Sequence, residues 1–96
     1  MLFRSGALAS FVLEENGTLA QLDSAPTGQT ATCWVVGARG RFYTSNAGSA
    51  SLSGFQASAH GQLLTLFSTT GTSPGPVDAA ATANGRFIYL DRKSVV

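Results

Sequence analysis

Short β-rich runs separated by turn residues cover most of the chain. Residues 7–13 alternate small or polar side chains with larger apolar ones, and Asn16-Gly17 follows them. Asn-Gly favours a tight type I′ hairpin turn because both residues tolerate positive φ, so residues 18–22 are predicted to form the returning strand. Residues 23–30 contain a proline and a glycine and have no hydrophobic period, which predicts a loop.

The middle of the chain predicts four more strands. Residues 32–36 form the most apolar run and are expected to be buried on both faces. Three further runs with strand composition lie at 41–45, 50–56 and 63–68. Residues 69–75 are rich in Gly, Ser, Thr and Pro and predict a second loop.

The last part of the chain predicts strands at 77–81 and 86–90. Residues 77–83 are rich in alanine, so a short helix is the alternative. Residues 33–36, which correspond to them one repeat earlier, are poor helix formers, and Asn84-Gly85 would stop a helix after about two turns. The strand interpretation is therefore preferred.

The chain repeats itself. Gly40-Arg41-Phe42-Tyr43 returns as Gly85-Arg86-Phe87-Ile88-Tyr89, with the two arginines 45 residues apart, and Phe11 and Phe55 differ by 44. A period of about 40–45 residues with strand content is typical of a propeller blade, which is one four-stranded sheet per repeat. Since a ring needs ~4–8 blades, two repeats cannot close one alone. The chain is therefore expected to be a piece of a longer protein or a subunit that closes by assembling, unless the repeat is false.

The predicted fold class is all-β, a β-propeller fragment of about two four-stranded antiparallel blades. With the strands of a blade labelled A to D, the order is C-D, A-B-C-D, A-B. The predicted units are a half-blade at 5–23, a complete blade at 31–68, a half-blade at 76–90 and a truncated tail at 91–96.

The two Gly-Arg-Phe strings resemble the repeat of the lactonase-type β-propellers. That family includes 6-phosphogluconolactonase-like and carboxymuconate-cyclase-like proteins and the related YVTN repeats. The string Pro26-Thr27-Gly28-Gln29-Thr30-Ala31-Thr32-Cys33-Trp34 is similar to a stretch in the same family. The resemblance covers roughly residues 5–90 and implies that the chain is about two-sevenths of a seven-bladed ring.

The resemblance also bears on activity. Lactone-hydrolysing members of the family tend to carry Pro-Arg-His where strand A begins, whereas the matching positions here are 31–33 (Ala-Thr-Cys) and 76–78 (Pro-Val-Asp). No catalytic residue is carried over. The expected function is a structural or ligand-binding propeller fragment without activity of its own. The alternative is a lactone hydrolase whose catalytic residues lie mostly outside this chain.

Three residues on the two A strands, which would lie nearest the propeller channel, are the candidates for a site. Asp78 could hold a cation, polarise a substrate or cap loop amides. Trp34 is expected to pack between blades with its indole N–H on a carbonyl oxygen. Cys33 is expected to be a small buried apolar residue unless its thiol faces the channel.

Two other patterns are interpreted as structural. Residues 71–75 match the G-x-S-x-G nucleophile elbow, but that motif needs a strand before it and a helix after it. A loop is expected here instead. His60, the only histidine, precedes Gly61 in a turn, where Asn16 and Asn84 stand in the other repeats, so a solvent-facing turn residue is expected.

Composition narrows the possible partners. Charged residues make up 11% of the chain, the net charge is +1 and the pI is about 8.0, which predicts binding to neither nucleic acid nor membrane. A single cysteine allows no internal disulfide, and no cofactor is expected. No signal peptide or membrane span is recognised, so a cytoplasmic location is the default expectation. The expected partners are the remaining blades of a longer propeller or further copies joined through half-blades.

Overall fold

The computed structural model describes residues 5–92, which form eight β-strands and one 3₁₀ turn at Ala59–Gly61. The strands are β1 (Ser5–Leu13), β2 (Leu19–Thr30), β3 (Thr32–Ala38), β4 (Arg41–Asn46), β5 (Ser51–Ala57), β6 (Leu64–Gly71), β7 (Pro76–Ala81) and β8 (Ile88–Arg92). The all-β prediction is confirmed, and the alanine-rich segment is strand β7 rather than a helix. No helix in the described part of the chain is long and apolar enough to cross a membrane.

The strands form three antiparallel sheets, each made of consecutive strands. The N-terminal sheet contains β1 and β2, the central sheet contains β3, β4, β5 and β6 in that order, and the C-terminal sheet contains β7 and β8. Such up-and-down connections need only short turns, which the glycines of the chain supply.

The strand ends differ from those expected from composition. The segment predicted as a loop at 23–30 belongs to β2, where Ala25 and Pro26 pair with β1. Proline is tolerated there because β2 pairs on one side only. Asp91 and Arg92, assigned to the tail, lie in β8, and residues 93–96 of the tail fall outside the described residues.

The first hairpin turn also differs from the prediction. Gly17 has a φ of 91°, but Asn16 does not adopt positive φ, so the turn is not type I′. Gly17 N–H donates to Glu14 O at 2.9 Å, and Asn16 Oδ1 accepts a hydrogen bond from Thr18 N–H at 3.0 Å. The asparagine side chain, rather than its backbone, organises this longer turn.

Two β-bulges recur at matching positions. Cys33 is the extra residue of β3 and Val77 that of β7, 44 residues later. Leu22 is the extra residue of β2 and Phe67 that of β6, 45 residues later. A bulge bends and twists its strand. The N-terminal sheet therefore shares local geometry with the β5–β6 half of the central sheet, and the C-terminal sheet shares it with the β3–β4 half.

The strand register corrects the alignment of the second repeated string. Val36 pairs with Tyr43 across β3 and β4, and Ala80 pairs with Tyr89 across β7 and β8. Tyr89 therefore corresponds to Tyr43, 46 residues earlier, rather than Ile88 at a spacing of 45. The turn between β7 and β8 is two residues longer than that between β3 and β4, which raises the spacing from 44 on the first strand to 46 on the second.

The buried apolar core of the described residues is small. Only Ala38, Phe55 and Leu64 are buried hydrophobic residues, and Phe55 is the one large side chain among them with no exposed surface. Many of the other large apolar residues are more than one-third exposed, Phe11, Val35 and Tyr89 among them. Sheets with this much uncovered apolar surface are expected to bury it against further protein.

Candidate functional site

Strand β3 is more exposed than its composition predicts. The side chains of Trp34 and Val35 are each 48% exposed, so the strand is not buried on both faces. Trp34 reaches the C-terminal sheet, where its Nε1–H donates to Ala79 O at 3.1 Å. The expected carbonyl partner is thus present, while the indole ring keeps about half of its surface free for contact.

Trp34 and Asp78 lie together in one groove. The groove has a volume of about 440 Å³, and Tyr89 and Asp91 also line it. Asp78 and Asp91 are directly paired across β7 and β8, and both are exposed. Two carboxylates facing each other repel, so the pair destabilises the sheet locally. Among the described side chains, neither carboxylate has a hydrogen-bond or ion-pair partner.

Cys33 faces a different environment from the one expected. It is an exposed residue rather than a buried one. Its Sγ nevertheless lies 3.6 Å from Val77 O and 3.7 Å from Ser45 Oγ, between the central and C-terminal sheets. Cys33 does not line the groove that holds Asp78; it lines another groove, of about 370 Å³, together with Trp34. The structure therefore brings Trp34 and Asp78 together in one groove and Trp34 and Cys33 together in another.

The groove offers binding chemistry rather than a catalytic set. An indole face, a phenol ring and two carboxylates can hold a small ligand through stacking, charge and hydrogen bonds. No nucleophile paired with a base lines it, and no group of three or more metal-ligating side chains forms within the described residues.

The two remaining sequence patterns occupy turns. His60 has a φ of 66° and is exposed, in the left-handed conformation that its position before Gly61 requires. Gly71 ends β6 and Pro76 begins β7, so the G-x-S-x-G match joins two strands. A nucleophile elbow needs a helix after its serine, and none follows here.

The central sheet contains a buried polar network that the sequence did not predict. Asn46 has no exposed surface and lies at its centre, at the end of β4. Its Nδ2 donates to Ser51 Oγ at 3.0 Å and to Ser53 Oγ at 2.8 Å, and its Oδ1 accepts from Thr32 Oγ1 at 2.7 Å. We call these four residues the Asn46 network.

The Asn46 network connects two sheets. Thr27 of β2 is 1% exposed, and its Oγ1 lies 3.2 Å from Thr32 Oγ1 and 3.0 Å from Gly6 O. Within the described residues, every buried side-chain nitrogen and oxygen has a partner. The network is therefore a structural connection, since a ligand would need to displace bonds already made. The only feature of the sequence that indicated this network is Asn46, which stands before a turn of small residues.

The two repeated arginines have separate local roles. The Arg41 guanidinium lies 5.0 Å from the centroid of the Phe67 ring, and that of Arg86 lies 5.6 Å from the centroid of its neighbour Phe87. Both are cation–π contacts. In the strand register Arg41 corresponds to Phe87, so the repeated string does not place the two arginines in equivalent positions.

Comparison with known proteins assigns no family to the chain. No protein-family model, no curated protein and no solved structure matches it.

Proposed function

We propose that this chain is a two-blade portion of a β-propeller that acts as a structural and ligand-binding unit, without chemistry of its own. The N- and C-terminal sheets would be half-blades and the central sheet a complete blade. The likeness to lactonase-type propellers, stated from sequence, agrees with this proposal but adds no catalytic residue to it.

The observation that carries the proposal is the packing of β3 against β7. These two strands hold the equivalent bulges, and three side chains of the central sheet hydrogen-bond to the backbone of the C-terminal sheet. Trp34 Nε1–H donates to Ala79 O, Ser45 Oγ donates to Val77 O at 2.6 Å, and Arg39 Nε–H donates to Asn84 O at 3.2 Å. Equivalent strands stacked side by side are what successive blades present around a propeller axis.

The proposed ligand site is the groove of Trp34, Asp78, Tyr89 and Asp91. It lies where two blades would meet, and the inner strands of a propeller line its central channel. The free indole face and the two carboxylates favour a small molecule that carries a positive charge.

A new disulfide tests the blade arrangement. We expect Val77→Cys to form an intramolecular bond with Cys33 under mild oxidation, because Cys33 Sγ lies 3.6 Å from Val77 O. Val12→Cys, on an exposed position of β1, is the matched control. Mass spectrometry of the monomer band on a non-reducing gel should show the loss of two hydrogens about tenfold faster for Val77→Cys. Equal rates in the two variants would contradict the packing of β3 on β7.

Activity distinguishes the proposed role from the lactone-hydrolase alternative. We expect the chain to give no turnover of a simple aldonolactone above the buffer rate, and Asp78→Ala to leave that rate unchanged. The groove holds carboxylates but no nucleophile paired with a base. Hydrolysis followed by pH-stat titration checks this. A rate well above buffer that is lost in Asp78→Ala would favour the enzyme.

A further inference from the structure

We propose that the C-terminal sheet of one copy pairs with the N-terminal sheet of a second copy, with β8 beside β1, to form a four-stranded sheet equivalent to the central one. The inference rests on the proposed function, because it uses the equivalence of the strands in the two repeats. It goes further by naming the partner, the pairing strands and their register.

Both strands have an unpaired edge. Among the described residues β1 pairs only with β2, and β8 pairs only with β7. A free edge presents a row of backbone N–H and C=O groups that can pair with another strand. The two edges do not meet, and no strand among residues 5–92 covers either of them.

The bulges and pairings show which strands correspond. Ser10 and Phe11 flank the register shift of β1 as Gly54 and Phe55 flank that of β5, so β1 corresponds to β5. The register at Tyr89 makes β8 correspond to β4. In the central sheet β4 and β5 are direct neighbours. Pairing of their equivalents, β8 and β1, would therefore give a four-stranded sheet in the same strand order.

The β4–β5 ladder fixes the register of the new pair. It contains six residue pairs, among them Phe42 with Phe55 and Thr44 with Ser53. The equivalent pairs join β8 of one copy to β1 of the next. They are Phe87–Val12, Ile88–Phe11, Tyr89–Ser10, Leu90–Ala9, Asp91–Leu8 and Arg92–Ala7.

The side chains suit this register. Ile88 would lie opposite Phe11 and Leu90 opposite Ala9, which makes two apolar cross-strand pairs. Tyr89 would take the place of Tyr43, whose ring packs edge-on against Phe67 with centroids 6.1 Å apart.

A groove runs beside β1. It has a volume of about 520 Å³ and is lined by Leu8 and Phe11 of β1, Val35 of β3 and Phe42 of β4. Phe11 is 51% exposed and Phe42 39%. An extended, largely apolar hairpin fits such a groove, and β7–β8 is a hairpin of this kind. The occupant is therefore a second copy of this chain.

The assembly would be heterologous, because each copy uses its N-terminal sheet on one side and its C-terminal sheet on the other. Such contacts close into a ring when the rotation allows it and otherwise extend into a filament. Three or four copies of about two blades each lie in the closable range of ~4–8 blades.

Paired cysteines test the register directly. In a Cys33→Ser background, Phe11→Cys with Ile88→Cys places two thiols opposite each other across the new interface. We expect mild oxidation of this full-length variant to give a ladder of covalent multimers on a non-reducing gel. The matched control is Val12→Cys with Ile88→Cys, because a slip of one residue puts the thiols on opposite faces. Multimers severalfold more abundant than in the control support the proposal, and equal or absent multimers overturn it.

A charge substitution provides a second test that does not depend on cysteines. Phe11→Lys should shift the light-scattering mass of the chain toward the monomer at micromolar concentration, because it puts a charge into the apolar groove. Leu13→Lys, on the same strand but outside the six pairs, should leave the association unchanged. Circular dichroism checks that both variants keep their β structure.

The outcomes separate this inference from the proposed function. If the Val77→Cys variant forms its disulfide with Cys33 while the chain stays monomeric and gives no multimers, the inference is overturned and the two-blade arrangement stands. Failure of that disulfide would contradict the two-blade arrangement itself. An oligomer that Phe11→Lys leaves intact would also overturn the proposed interface.

Discussion

Replacing Asn46 by alanine is expected to lower the free energy of unfolding by about 2–4 kcal/mol. The amide has no exposed surface and makes short hydrogen bonds to the hydroxyls of Thr32, Ser51 and Ser53. Alanine would leave those hydroxyls without their shared partner in a site that excludes water. Each buried polar group left unpaired costs about 1–3 kcal/mol.

Asn84→Ala is the matched control for Asn46. Asn84 is exposed in the turn after β7, where its Oδ1 accepts from Arg86 N–H at 3.0 Å and Thr82 Oγ1–H at 2.6 Å. Water can replace these bonds, so the loss should be about 1 kcal/mol or less. Urea unfolding followed by circular dichroism measures both variants, and equal losses would show that the Asn46 network is not a structural centre.

Phe55→Ala is expected to destabilise the chain by about 3–5 kcal/mol. Phe55 lies in β5 with no exposed surface, paired with Phe42 of β4 on one side and Leu66 of β6 on the other. Its ring is the largest fully buried side chain described. Since small domains are stable by only ~5–15 kcal/mol, the variant should lose most of its cooperative unfolding transition.

Phe87→Ala is the matched control for Phe55. Phe87 is 53% exposed and lies before β8, where its main contact is the cation–π interaction with Arg86. We expect its removal to change the free energy of unfolding by about 1 kcal/mol or less. Thermal melts at low protein concentration compare the two variants. A similar loss of stability in both variants would mean that the core does not centre on Phe55.

Part of the fold was predictable because strands have a local signature. Alternating apolar residues and glycine-containing turns placed all the strands, and the short runs at 77–81 and 86–90 were recognised despite the helix-forming alanines of the first. The residues at which the strands begin and end were less predictable. Residues 23–30 have loop composition but form strand, because pairing with β1 outweighs the weak preferences of proline and glycine.

The candidate site was predicted only in part, for a geometric reason. Trp34 and Asp78, which the sequence placed on two different strands as candidates for one site, do share a groove. Cys33 does not line that groove; it is the extra residue of a bulge, and a bulge leaves no mark in composition. Tyr89 and Asp91 join the groove through the register of β7 and β8, which is set by two extra residues in their turn.

The sequence by itself determined the all-β class and the approximate positions of the strands, because these depend on side-chain alternation and on backbone preferences of neighbouring residues. Only the tertiary structure decided which equivalent residues are buried. Phe11 and Phe55 stand at matching positions, yet one is 51% exposed and the other not at all. Phe55 has strands on both sides in the central sheet, whereas Phe11 lies on a strand with an open edge. Burial depends on neighbours distant in the chain, and local composition carries no record of them.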